Sequence, residues 1–423
     1  MSRRAVITGI GVVAPSGLSA DEHWATLTSG QCRIGPITIF DAAGYAARLA
    51  GQVAGLDVTG RVAARLVVQT DRWTWMAFLA AEQALADAAL DPAGLDPYDL
   101  SVVLASSSGG NEFGQRELQR LWSQPARKVG AYQSIAWFYA ATVGQLSIRH
   151  QAKGPNSVLV SESAGGLDSL VHAARTVARG TCAVLAGGVE APLSPYALAC
   201  QLRSDRLSTA TDPSRAYLPF DTDAGGYVPG EGGAVLVVED LDRALARGAP
   251  VIYGEIAGWG CTHDGLRSTR AAAGDSRQYA RSMRLAMARG GTEPGGVSLL
   301  IPDALGVPEA DRAEAAAITA VFGPAGVPVT SHKSLTGRLY QGGSALDVVT
   351  ALLAMRAQLV PATAGTPRPA SGCELDFVRT TRRQAVDTVL VCARGMDGYN
   401  SSLLLRHPRR LTWPEKRAAN GAG

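Results

Sequence analysis

Short apolar runs alternate along the whole chain with stretches rich in Ala and Arg, the rhythm of strand and helix in an α/β protein. The runs predict strands at 4–10, 100–105, 157–160, 182–187 and 233–239. They predict a second series at 251–259, 297–301, 327–330, 388–392 and 400–405. Helices are predicted over 73–89, 164–179 and 343–358. In the second of these, Leu167, Leu170, Val171, Ala174 and Val177 fall at i, i+3 and i+4 spacing and share one face. The two series have similar parts: a first strand, a Gly-rich strand-to-helix junction and a closing pair of adjacent strands. A boundary is therefore expected near Ala249 and Pro250, giving halves at 1–249 and 250–410. Residues 411–423 show no periodicity and are expected to form a flexible tail.

Composition narrows the class. With 46% apolar and 18% charged residues, the chain can fill a large core and disorder is excluded. Forty Lys and Arg against 37 Asp and Glu leave a net charge of +3, too balanced for a protein that binds nucleic acid or a membrane surface. No apolar run approaches the ~20 residues of a spanning helix. The chain starts without a signal-peptide core, so a cytoplasmic protein is expected. The six cysteines, Cys32, Cys182, Cys200, Cys261, Cys373 and Cys392, include no C-x-x-C pair, and the six histidines are isolated from one another. No disulfide frame, metal site or cofactor of the chain's own is expected.

Two stretches carry candidate chemistry. Ser161-Glu162-Ser163-Ala164-Gly165-Gly166-Leu167-Asp168 follows a strand and opens a helix, which puts Ser163 at a helix N-terminus. Backbone N–H groups there favour negative charge and suit a nucleophile, yet Ser is also a preferred capping residue. The second stretch runs from Tyr217 to Asp221 and on through Gly225, Gly226, Pro229, Gly230, Glu231, Gly232 and Gly233. No Lys-Ser or Lys-Thr follows it, and Glu231 would repel anions, so it reads as a scaffold loop under a cavity and not as a phosphate cradle.

Together with residues 7–11 and 395–401, these stretches resemble the thiolase-fold β-ketoacyl synthases over about residues 4–405. Residues 136–139, Glu190-Ala191, 209–213 and 336–340 make the chain most similar to the chain-length factors, the ketosynthase β subunits of bacterial type II aromatic polyketide synthases. The resemblance implies a thiolase-like fold, with duplicated βαβ-rich halves in alternating α-β-α-β-α layers. It also implies a heterodimer with an active ketosynthase α subunit, served by an acyl carrier protein bearing phosphopantetheine.

An active ketosynthase needs a Cys thiolate and two histidines. At the corresponding positions this chain has Ser163, Asp303 and Arg338, and only Lys333 matches. No catalytic set is intact. A lone Ser hydroxyl is a poor nucleophile, and Asp303 with Arg338 is expected to form an ion pair that seals a vestigial pocket. Chain-length factors usually carry Gln where Ser163 stands, so decarboxylative priming is expected to be weak or absent.

The resemblance further implies that Asn111, Gly114 and Leu118, at i, i+3 and i+7 of a helix, line a polyketide tunnel whose bulk limits chain length. Their modest size implies a decaketide or longer product. Two other readings remain open: a serine-dependent acyltransferase acting through Ser163, and a structural subunit of a fatty-acid or polyene synthase.

Overall fold

Eleven strands join edge to edge in the computed structural model, whose described residues are 3–124, 128–265 and 275–410. The residues read as a tail, 411–423, lie outside them. In chain order the strands are β1 (Ala5–Val13), β2 (Leu100–Ala105), β3 (Ser157–Leu159), β4 (Ala183–Glu190) and β5 (Gly232–Asp240). They continue with β6 (Gly254–His263), β7 (Leu299–Ile301), β8 (Pro328–Val329), β9 (Asp376–Phe377), β10 (Thr388–Arg394) and β11 (Tyr399–Arg406).

The first five take the order β3-β2-β4-β5-β1, and the next set takes the order β8-β7-β10-β11-β6 with β9 added at the edge. Directions repeat as well. Strands β2 and β7 are parallel to both neighbours, and the last two pairings of each half are antiparallel. One half is therefore a topological copy of the other. They meet where β1 pairs with β6, Val6 opposite Glu255 and Ile7 opposite Gly254. Strand β6 starts three residues later than the apolar run at 251 suggests, because Ile252 packs with Val6 and Leu241 beside the ladder instead of joining it.

Helices fill the layers around the strands. Helix α1 (Arg72–Asp87) covers the outer face of the first half, on β1 and β5. Helix α2 (Asn111–Ser123) and helix α4 (Pro195–Leu202) touch each other. Helix α5 (Ser276–Arg289) covers β6 and β11, with α6 (Pro308–Phe322) against it. Between the halves lie α3 (Gly165–Ala178) and α7 (Gln341–Ala357).

Helix α7 touches β4, β5 and β10, and every residue from Gln341 to Met355 is buried. A helix enclosed on all sides needs no polar face, which is why its sequence is apolar without a clear stripe. The middle layer is tight. A Cβ on Gly166 of α3 would sit 2.3 Å from the Gln341 carbonyl oxygen, so only glycine fits there.

Candidate functional site

Between β3 and α3 the chain turns sharply through Glu162, which takes a φ of +48°, a conformation uncommon outside glycine. The turn sends the Ser163 side chain inward, leaving it 3% exposed. Its hydroxyl donates to Glu162 Oε1 at 2.9 Å. Helix α3 is capped at Ala164 with no side-chain cap bond, so Ser163 is not a helix cap. The neighbouring Ser161 hydroxyl donates to Asp168 Oδ2 at 2.6 Å and ties the turn to the first turn of the helix.

Two distant segments converge on the same carboxylate. Arg338 Nη2 lies 3.7 Å from Glu162 Oε2, and the Met396 N–H donates to that oxygen at 3.1 Å. Arg338 also grips Asp303 with two nitrogens, at 3.2 and 3.4 Å, and donates to the Arg394 carbonyl at 3.2 Å. Both Arg338 and Asp303 are buried. Burial works against charge on Arg338, but Asp303 and Glu162, then Tyr217 and Tyr227, outweigh it and hold its pKa well above the ordinary value. The Gly-rich stretch acts as the scaffold: Val228 O accepts from the Arg338 N–H at 2.8 Å, and Gly230 N–H donates to Arg338 O at 2.9 Å.

Ser163, Asp303 and Arg338 are thus joined into one cluster, through Glu162. Lys333 points elsewhere, donating to Asp347 at 2.5 Å and to Pro302 O at 3.1 Å. Glu162 sits beside Ser163 in the sequence, yet only the fold shows that it links the cluster. The cluster offers a hydroxyl, two carboxylates and the one guanidinium they share. It contains no thiolate and no imidazole.

Buried titratable groups surround this cluster. Asp311 accepts from the Phe220 and Gly306 N–H groups at 2.8 and 2.9 Å, yet burial pushes its carboxyl up to about 8. Glu314 accepts from the Asp303 and Ala304 N–H groups and is raised by burial and by the nearby Asp303 charge. Burial pushes His23 and His332 down to about 3.

These shifts bear on stability with opposite signs. The histidines bind fewer protons folded than unfolded, so their contribution is present above the ordinary value of ~6.5 and is lost as pH falls toward 3. The carboxyls bind more protons folded, so their contribution is lost as pH rises through about 7 for Glu314 and about 8 for Asp311. Thermal midpoints measured against pH are expected to form a dome, with Asp311→Asn flattening the alkaline limb. A midpoint climbing steadily between the ordinary histidine value of ~6.5 and about pH 8 contradicts these assignments.

A second feature lies on α2. Asn111, Gly114 and Leu118 line one cleft of about 260 Å³, together with Gln115, Gln133, Trp137 and Tyr196. The sequence reading takes the small Gly114 as added volume; the structure corrects this. A Cβ at 114 would meet Trp137 Cδ1 at 2.7 Å, so the indole already occupies the room that glycine leaves. Of the aromatic run 135–139, only Ala136 is buried; Ile135, Trp137, Phe138 and Tyr139 are exposed in the single chain.

Known proteins align with this architecture from end to end. Residues 2–244 match the family described as beta-ketoacyl synthase, N-terminal domain, and residues 253–366 match its C-terminal domain. The tetracenomycin polyketide synthase ketoacyl synthase beta subunit of Streptomyces glaucescens is 51% identical over 403 residues, covering 95% of this chain and 98% of the relative. The ishigamide ketosynthase/chain length factor superposes with a TM-score of 0.89 at 26% identity, over 96% of this chain and all of that one. A type II polyketide synthase acyl carrier protein in complex with its ketosynthase bound to the hexaketide gives a TM-score of 0.87 at 26% identity, with the same coverage.

Proposed function

The chain belongs to the β-ketoacyl synthase family, on the branch of the ketosynthase β subunits of type II polyketide synthases, and from that premise we propose that it shapes a condensation carried out by another subunit. The observation that carries this reading is the Glu162–Arg338–Asp303 cluster standing beside Ser163 where a ketosynthase needs sulfur and imidazole. The partner is a cytoplasmic ketosynthase α subunit with an intact Cys and two His. An acyl carrier protein delivers malonyl units on phosphopantetheine, which is substrate to the pair.

In this reading the cleft on α2 is one wall of the tunnel. It shields the poly-β-ketone from water and early cyclisation and limits its length by steric volume. Asn111 and Leu118 leave space for a decaketide or longer chain, and Trp137 forms the wall over Gly114.

Nothing at Ser163 favours serine acyl transfer. The Ser163 hydroxyl is bonded to Glu162 and not to an imidazole, and Glu162 is itself engaged by the Met396 N–H and the Arg338 guanidinium.

The test is product size. Paired with its ketosynthase and carrier protein, the Leu118→Phe subunit is expected to give shorter chains by mass spectrometry, at least one two-carbon unit below wild type. Swapping the whole subunit into another synthase is expected to carry its chain length with it. If Leu118→Phe leaves length unchanged and length follows the α subunit in the swap, the protein is a structural partner only.

A further inference from the structure

Helix α2 has clefts on two sides. Beyond the one lined by Asn111, Gly114 and Leu118 lies a larger cleft, about 440 Å³, lined by Phe40, Arg72, Trp75, Glu112, Arg116 and Leu193 among others. Gln115 lines both. The helix geometry explains why. At about 100° per residue, Asn111, Gly114 and Leu118 share one face, Glu112 and Arg116 share the adjoining one, and Gln115 stands on the border.

Its amide is fixed there. Gln115 Oε1 accepts from the Tyr196 N–H at 2.8 Å. Tyr196 is the second residue of α4, where N–H groups lack helical partners. The capping Ser194 hydroxyl serves Ala197 instead, at 3.2 Å, so Gln115 satisfies the group that the cap leaves over. The side chain thus spans from α2 to α4 across the line between the two clefts.

We propose that Gln115 is a partition, and that the cleft behind it is an annex able to take the far end of a poly-β-ketone. The proposal rests on the reading of the first cleft as tunnel. The annex chemistry suits that ligand. Ketone oxygens only accept hydrogen bonds, and Arg116 carries donors with its side chain half exposed. Phe40, Trp75 and Leu193 offer apolar surface to the carbon backbone.

Gln115 is a specificity-determining residue outside the i, i+3, i+7 set, and its removal merges the two spaces. The experiment uses the complete pair with its carrier protein and compares three variants by mass spectrometry. Gln115→Ala is expected to raise the ratio of chains at least one two-carbon unit longer to the original product by roughly tenfold. Gln115→Glu keeps the volume and the acceptor oxygen and is expected to keep the wild-type length.

Leu118→Phe reports on the tunnel itself. If it shortens the product while Gln115→Ala does not lengthen it, the partition is overturned and the tunnel reading stands. If neither variant changes length, the tunnel reading falls and the partition falls with it. Should Gln115→Ala prevent assembly, Gln115→Asn withdraws the amide by one methylene. It is expected to lengthen the product to a smaller extent; unchanged length overturns the proposal.

Discussion

Placing cysteine at position 163 is expected to leave the chain without measurable carbon–carbon bond formation, and adding Asp303→His and Arg338→His is expected to leave it so. The reason lies in Glu162. Its two oxygens take the Ser163 hydroxyl, at 2.9 Å, and the Met396 N–H, at 3.1 Å. A thiol at 163 would face that carboxylate, which disfavours the thiolate. An oxyanion forming there would compete with a resident negative charge for the Met396 N–H, which already donates to Glu162. In an acyl-transfer enzyme, loss of one oxyanion-hole donor costs about 10²–10³ in rate.

The measurable consequence is two-fold. Alkylation of Ser163→Cys by iodoacetamide is expected to be slow and to rise by roughly tenfold when Glu162→Ala is added, the effect of about one unit in thiol pKa. Condensation products are expected to be absent from Ser163→Cys and from the triple variant in the absence of the α subunit. Turnover by Ser163→Cys alone would show that Glu162 does not block the site and that the missing sulfur was the whole defect.

The sequence shows its strands plainly and its site only in part, and the difference is one of range. Strands such as Leu100–Ala105 and Thr388–Arg394 are buried over nearly their whole length, so each is a short, mostly apolar run. Helix α7 appears as an apolar stretch for the same reason. The identity of the replaced residues Ser163, Asp303 and Arg338 can also be read directly, because each sits in a local motif.

What joins them cannot be read that way. Glu162 acts through Arg338 and Met396, both far away in the chain, and its role depends on a left-handed turn that no propensity favours for Glu. The same turn is why Ser163, with the residue type of a cap, caps nothing. Gly114 fails differently. A missing side chain looks like space in a sequence, but in the fold Trp137 has filled it.

Arg338→Met is expected to destabilise the protein by ~3–5 kcal/mol in denaturant unfolding, because it leaves the Asp303 carboxylate buried, and the partly exposed Glu162 carboxylate beside it, without their cation. The double variant Arg338→Met, Asp303→Leu is expected to recover most of that loss. Two features favour recovery. Arg338 Nε is buried without an acceptor, so the native arrangement already carries an unsatisfied donor. Tyr217, Tyr227 and Leu339 are buried nearby and give the new side chains apolar neighbours. A single variant within ~0.5 kcal/mol of wild type, the range of ordinary surface changes, would mean that the pair is inert.

Product length separates structure from shaping. The cluster and the α2 cleft share no lining residue. The recovered double variant, assembled with its ketosynthase, is therefore expected to make chains of wild-type length even though the charged residues at 303 and 338 are gone.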